Sequence, residues 1–275
     1  MRRETAGPDG TEREPVVWLV GAGPGDPELL TLKALRVLQA AEVVVHDRLV
    51  SQGVLDYLSP VATRIFVGKS EGRHELDQGE INDLLVRLAR TGRVVVRLKG
   101  GDPLVFGRGG EEALHLLRHG IGVEIVPGIT AAAGVAASCL VPLTHRGLAT
   151  GVRFVTGHCR AGWWLDLDWQ SLADPETTLV VYMGLSHIAE IAGRLVDAGL
   201  SPATPAMAVQ EGTTARQRSV RASLTELEHA VAGAGLASPV LFIIGPVVDV
   251  LRQRLDATEG PTVRPEAMVE ALLHA

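Results

Sequence analysis

One thirteen-residue segment constrains this chain more than any other: Gly100-Gly101-Asp102-Pro103-Leu104-Val105-Phe106-Gly107-Arg108-Gly109-Gly110-Glu111-Glu112. It follows the apolar run Val94-Val95-Val96-Arg97-Leu98, which reads as a strand. Five glycines let the backbone turn and come close to a ligand with no Cβ in the way. The aspartate among them argues against a simple phosphate cradle. A second loop, Gly21-Ala22-Gly23-Pro24-Gly25-Asp26-Pro27, follows the first predicted strand and also ends in Asp-Pro. Two such loops point to a small-molecule site built from backbone, and their acids argue against a purely anionic ligand.

The polar lead 1–15 reads as disordered, Val16–Val20 as the first strand, and Pro27–Ala40 as a helix that Asp26 caps. Strands at 43–45, 63–67, 94–98 and 122–126 alternate with helices at 80–90 and 109–119, the last ended by Gly120. That alternation implies a parallel α/β sheet. The pattern loosens into an Ala-rich stretch over 130–150, so the first domain is set at 16–142 and a second α/β domain at 143–251, with a tail at 252–275. In the second domain, strands are expected at 152–156, 178–183, 205–209, 217–222 and 240–244, with helices at 187–198 and 223–232. The segment 217–222 has the alternation of an edge or antiparallel strand.

A net charge of −6 argues against general binding to nucleic acid or membrane surfaces. The two cysteines, Cys139 and Cys159, form no CxxC pattern, and the reading is a reducing, cytoplasmic compartment. No leader peptide is visible, and no apolar run reaches the roughly 18–20 residues of a membrane span.

Gly21-Ala22-Gly23 after a strand, with Asp47 ending the next one, invites a dinucleotide-binding reading. Asp26 stands where that pattern needs Gly or Ala, Pro24 and Pro27 remove backbone donors, and Asp26 and Glu28 oppose a pyrophosphate at the helix start. A third loop, Pro127-Gly128-Ile129-Thr130-Ala131, follows strand 122–126. Ligands of open α/β sheets bind beyond the carboxyl ends of the strands, so the three loops can converge on one crevice. His115 and His119 have the i, i+4 spacing of a metal pair but lack an evident third ligand, and histidine suits a helix's last turn. No metal is expected.

Segments 20–27, 46–50, 67–69, 97–112 and 126–131 together resemble the uroporphyrinogen-III C-methyltransferases of the tetrapyrrole methylase superfamily. Pro142–Gly147, Phe154–His158 and Val181–Gly184 extend the resemblance in order. It implies two α/β domains with the cofactor in the interdomain cleft, S-adenosylmethionine as methyl donor, S-adenosylhomocysteine as product, and a homodimer. The implied reaction is two successive methylations of uroporphyrinogen III to precorrin-2, toward sirohaem or cobalamin. Carried over by position, Pro24, Gly100, Gly101, Asp102, Val105, Thr130, Ala131, Met183 and Gly212 would contact the cofactor. Asp47 would be the proton acceptor and Lys69 the proton donor. No stretch is long enough for the dehydrogenase/chelatase module of longer members, which implies methylation alone. Methylation of a later corrin precursor by the same fold, and a non-catalytic tetrapyrrole or cofactor sensor, are the alternatives.

The chemistry suits these residues. A pyrrole carbon is already nucleophilic, so alignment with the methyl group matters more than a strong base. A proton must leave the macrocycle afterwards, which a carboxylate and an amine can manage. The alternative for Asp47 and Lys69 is a structural ion pair. The acceptor carries eight carboxylates, and Arg108, Arg146, Arg153, Arg160, Arg216 and Arg218 are candidates to meet them because they lie near the loops or in the second half. Trp163, Trp164 and Trp169 read more readily as loop packing than as a cover for a planar substrate.

Overall fold

The structure is a computed structural model, and it describes residues 15–68, 76–158 and 166–251. Residues 1–14 of the polar lead, Lys69, Cys159, Arg160, Trp163, Trp164 and the 252–275 tail lie outside the described residues. The chain divides into two units: Met1–Val135 with Val209–Arg218, and Ala136–Ala208 with Ser219–Ala275.

The first unit is built on five strands: β1 (Val16–Gly21), β2 (Val43–His46), β3 (Thr63–Phe66), β4 (Val95–Lys99) and β5 (Gly122–Val126). Their spatial order is β3-β2-β4-β1-β5, and every pair is parallel. Successive residues of a strand point to opposite faces, and the buried side chains divide accordingly. Val20, Val44, Val96 and Leu98 pack with Ala34 and Leu38 of α1 (Leu32–Ala40) and Val54 and Leu55 of α2 (Gln52–Leu55). Val17, Leu19, Val43, Val45 and Val95 pack with Ile81 and Leu85 of α3 (Gln78–Ala89) and Leu116 of α4 (Gly109–Arg118). Burial on both faces explains why β1 and β2 read as continuous apolar runs, whereas the edge strands β3 and β5 keep exposed residues.

Two local departures from expectation have plain causes. The helix expected over Pro27–Ala40 is interrupted. Pro27–Leu29 forms a 3₁₀ turn capped by Asp26, Leu30 and Thr31 are extended, and α1 begins at Leu32. The Thr31 hydroxyl accepts from the Ala34 N–H at 3.1 Å, a local bond that starts a new helix rather than continuing the old turn. The Ala-rich stretch that looked loose holds α5 (Ala131–Ser138). Alanine has the highest helix propensity, but an almost wholly apolar segment carries no periodic signal to announce it.

In the second unit the sheet order is β6-β7-β10-β8-β9, from β6 (Gly151–Thr156), β7 (Thr177–Tyr182), β8 (Pro205–Gln210), β9 (Arg218–Ser223) and β10 (Val240–Ile244). β6 runs parallel to β7, but β10 runs antiparallel to it, so this sheet is mixed rather than parallel throughout. Alternation of element types does not encode the direction of a strand that returns from the end of the chain. β9 stands at the sheet edge, with Arg218 and Ser219 exposed and the rest of the strand half-buried. Phe242, Leu179 and Val181 pack with Ile188, Ile191 and Leu195 of α7 (Ile188–Asp197) and Leu227 of α8 (Leu227–Gly233). A short helix, α6 (Trp169–Leu172), packs Trp169 and Leu172 on the same core.

α3 starts with a reciprocal cap. Asp77 accepts from the Glu80 N–H at 2.8 Å, and the Glu80 side chain accepts from the Asp77 N–H at 2.8 Å. Asp77→Ala is therefore expected to lower stability by about 1 kcal/mol in urea unfolding with an unchanged m-value.

Candidate functional site

The site begins where the three glycine loops leave the sheet. β4, β1 and β5 are neighbours, so the loops that follow them emerge side by side. They meet backbone to backbone. The Gly101 N–H donates to the Gly23 carbonyl at 2.7 Å, and the Gly23 N–H donates back to the Gly101 carbonyl at 3.2 Å. A Cβ on Gly128 would lie 2.2 Å from the Gly101 carbonyl oxygen and 2.8 Å from the Gly21 Cα. A Cβ on Gly21 would lie 2.5 Å from the Gly128 nitrogen. No other residue allows this approach.

Asp102 ties the same junction. Its Oδ2 accepts from the Gly128 N–H at 3.1 Å and its Oδ1 from the Leu104 N–H at 2.8 Å. The carboxylate thus holds loop to loop. The segment around Gly212 joins from another part of the chain. Thr213 Oγ1 accepts from the Asp26 N–H at 3.1 Å, a Cβ on Gly212 would meet Val135 Cγ2 at 2.2 Å, and one on Gly134 would meet Pro24 Cγ at 2.5 Å.

Gly101 differs from its partners. Its φ is +68°, and the nearest atoms to a Cβ there, Ala131 N and Thr130 Cα, are 3.9 Å away. The backbone is left-handed and its open side faces the start of α5. A backbone cradle with free space beside Thr130 and Ala131 fits a ligand recognised through main-chain groups. Phe106, Arg108, Leu140, Met183, Glu211 and Thr213 also have positive φ, and all but Leu140 lie in or beside a residue or segment already singled out in the sequence. Strained backbone of this kind gathers at ligand clamps, and composition carries no trace of it.

β2 is next to β4 on the other side, which sets Asp47 at the carboxyl end of the neighbouring strand. Asp47 Oδ1 accepts from the Leu49 N–H at 3.0 Å, and Oδ2 faces Arg97 Nη2 at 3.4 Å. Beneath it, Arg97 and Lys99 of β4 are buried against Glu112 of α4. Sequence reading passed over these three as a cluster. Their signal was present: charged residues at alternate positions of an otherwise apolar central strand must find a buried partner. Burial, with Arg97 beside it, pushes the Lys99 ammonium below its ordinary pKa, and Glu112 opposes that. Burial likewise holds His46 below its ordinary value, against the opposing influence of Asp47.

A family profile described as Tetrapyrrole (Corrin/Porphyrin) Methylases matches residues 16–228. This chain belongs to the tetrapyrrole methylase family. It is 55% identical over 235 residues to an Arabidopsis thaliana protein named S-adenosyl-L-methionine-dependent uroporphyrinogen III methyltransferase, chloroplastic, covering 85% of this chain and 64% of that protein. It is 52% identical over 241 residues to a Chromobacterium violaceum siroheme synthase, covering 88% of this chain and 51% of that one. The chain therefore spans about half to two thirds of the length of these relatives. Among solved structures, uroporphyrin-III C-methyl transferase from Thermus thermophilus, complexed with S-adenyl homocysteine, superposes with a TM-score of 0.73 at 46% identity, over 85% of this chain and 93% of that one.

In this tetrapyrrole methylase, Pro24, Gly100, Gly101, Asp102, Val105, Thr130, Ala131 and Gly212 all fall in the first unit, while Met183 belongs to the second. Lys69 is outside the described residues. Several of the arginines considered for an acidic substrate already have partners. Arg108 forks onto Glu111 at 2.9 and 2.7 Å, Arg216 meets Glu211 at 2.6 Å, and Arg153 donates to Ser171. Among the described residues no group of three or more His, Cys, Asp or Glu could hold a metal ion; His115 Nε2 meets Asp83 Oδ1 at 2.9 Å. Among the described residues no helix is long and apolar enough to cross a membrane.

Gly128→Ala should cost about 1–3 kcal/mol in urea unfolding, because backbone must move to admit the methyl group. Gly110, a helical glycine of α4 with nothing within 4 Å of its Cβ position, is the control. Gly110→Ala should be neutral or stabilising by up to about 1 kcal/mol. A second prediction concerns acid. A histidine whose folded pKa lies below the unfolded value of about 6.5 contributes stability that is present above that pH and lost as pH falls. Urea midpoints should drop between about pH 7.5 and 5.5, and the drop should be smaller in His46→Gln.

Proposed function

We propose that this chain transfers two methyl groups in succession from S-adenosylmethionine to uroporphyrinogen III, giving precorrin-2, the branch toward sirohaem or cobalamin. The observation that carries the reading is the backbone junction of the three glycine loops, in a chain 46% identical to a Thermus enzyme solved with S-adenyl homocysteine. The 55% identity to a plant relative named for uroporphyrinogen III supports the choice of acceptor.

In this reading the loop residues Pro24, Gly100, Gly101, Asp102, Val105, Thr130, Ala131 and Gly212, with Met183, hold the cofactor. When bound, it supplies an electrophilic methyl group on a sulfonium. The open, left-handed backbone at Gly101 gives main-chain contacts without a side chain in the way. The protein's main contribution to methyl transfer is orientation, since the acceptor carbon is nucleophilic already. Asp47, partly exposed at the end of β2, takes the proton that the macrocycle sheds, and Lys69 returns one. A cytoplasmic homodimer completes the reading, supported by the cysteine usage and the family resemblance, and light scattering tests the mass.

Anaerobic incubation with uroporphyrinogen III and methyl-labelled S-adenosylmethionine should place two labels on each macrocycle. One label, or none with a folded protein, contradicts the reaction. S-adenosylhomocysteine should raise the melting temperature and NAD should not; the reverse would return the glycine loops to dinucleotide binding. In Gly101→Val, a β-branched residue at positive φ should abolish S-adenosylhomocysteine binding in a protein that still folds. Asp47→Asn should keep that binding and lose about 10²–10⁴-fold in turnover. A destabilised but fully active Asp47→Asn would make this carboxylate structural.

A further inference from the structure

The turn 211–217, between β8 and β9 in the chain, belongs to the first unit. Two of its residues are left-handed without being glycine: Glu211 at φ +46° and Thr213 at φ +66°, on either side of Gly212. A β-branched residue is strained at positive φ, and glycine would hold the same turn without that strain. What threonine has there and glycine lacks is a hydroxyl and a methyl, and both are engaged. Thr213 Oγ1 accepts from the N–H of Asp26, 187 positions earlier, at 3.1 Å. Thr213 Cγ2 lies over Gly134 of α5, 3.1 Å from where a Cβ on that glycine would stand.

The rest of the turn holds Thr213 in place. The Thr213 N–H donates to Gln217 Oε1 at 2.6 Å. Thr214 Oγ1 donates to the Glu211 carbonyl at 2.8 Å and accepts from the Arg216 N–H at 3.1 Å. The first glycine loop closes on the other side: a Cβ on Gly25 would meet Thr214 Cγ2 at 2.6 Å and the Gly212 carbonyl oxygen at 3.3 Å. Segments 24–26, 134–135 and 212–214 therefore lie against one another, and Thr213 touches both of the others, with its hydroxyl on one and its methyl on the second.

We propose that Thr213 is a positioning residue for the methyl donor: its hydroxyl fixes Pro24 and Gly212 relative to each other before the cofactor binds. This rests on the reading of Pro24 and Gly212 as cofactor contacts, through which Thr213 acts. The Asp26 amide follows Gly25, whose φ is +144°, so anchoring that amide sets the course of the loop from Pro24 onward. A site already held in its bound geometry loses less freedom when the ligand arrives. Without the hydroxyl, the Asp26 N–H loses its acceptor and the glycine beside it is free to turn. The loss falls on cofactor binding and not on the chemical step, because the Thr213 side chain brings neither a charge nor a proton acceptor of its own to methyl transfer.

The test is calorimetric titration of S-adenosylhomocysteine into folded variants, beside urea unfolding without ligand. Thr213→Val is as β-branched as threonine, so the backbone strain stays and only the hydroxyl goes. Its Kd for S-adenosylhomocysteine should rise about tenfold. The KM for S-adenosylmethionine should rise with it, while kcat at saturating S-adenosylmethionine stays within about twofold. Thr213→Ser keeps the hydroxyl and loses the methyl, and should recover most of the affinity. A purely structural threonine gives another pattern: a lower urea midpoint in Thr213→Val with an unchanged Kd for the folded protein. That result, or an equal loss of affinity in Thr213→Ser and Thr213→Val, overturns the proposal. If Thr213→Val does not fold, Thr213→Gly decides by the same Kd, because glycine suits φ +66° and removes the hydroxyl. An unaltered protein that fails to bind S-adenosylhomocysteine rejects the cofactor reading and the positioning role together. Binding that is indifferent to Thr213→Val rejects the positioning role alone.

Discussion

The contact of backbone on backbone among Gly21, Gly101 and Gly128 is the constraint on which the rest of the first unit depends. Each lies just past, or at the end of, a strand in the row β4-β1-β5, and the separation leaves no room for a methyl group at Gly21 or Gly128. Because the three strands are parallel and adjacent, their carboxyl ends present loops at one edge, as open α/β sheets do. Asp102 then bonds to the Gly128 amide and fixes the loops against each other. An acid in the glycine segment thus has a structural use before any ligand arrives.

Beside this junction lies a second arrangement of opposite character. The glycine loops work through neutral main chain, whereas Arg97, Lys99 and Glu112 bring full charges into a core strand and its covering helix. Burying such groups costs several kcal/mol per ion unless they are paired, and apolar residues of like volume are often as stable. What apolar residues cannot do is offer Asp47 the guanidinium it meets at 3.4 Å. The topology makes that link short: β2, which ends at His46 just before Asp47, pairs with β4, which carries Arg97.

Much of this was legible in the residues. Strand runs at 16–21 and 240–244 stood out because burial leaves continuous apolar sequence. The loops stood out because glycine clusters after strands have few other uses. Helix α5 was hidden, since an all-apolar helix has no period, and the break at Thr31 was hidden because it depends on one hydroxyl choosing a nearby amide. The antiparallel return of β10 depends on tertiary packing alone. Left-handed Phe106, Arg108, Met183, Glu211 and Thr213 could not be foreseen, because nothing in a non-glycine residue marks it for positive φ. The Arg97–Glu112–Lys99 cluster lay in plain view at alternate strand positions, but its partner on α4 is known only once the helix is placed.

The central claim is that the glycine junction is the floor of a cofactor site. Amide chemical shifts, followed residue by residue while S-adenosylhomocysteine is titrated into the unliganded protein, test it most directly. The account predicts that the largest changes fall on the Gly100–Val105 and Thr130–Ala131 amides and saturate together. Saturable binding that leaves those amides unmoved, with the changes confined elsewhere, would contradict it.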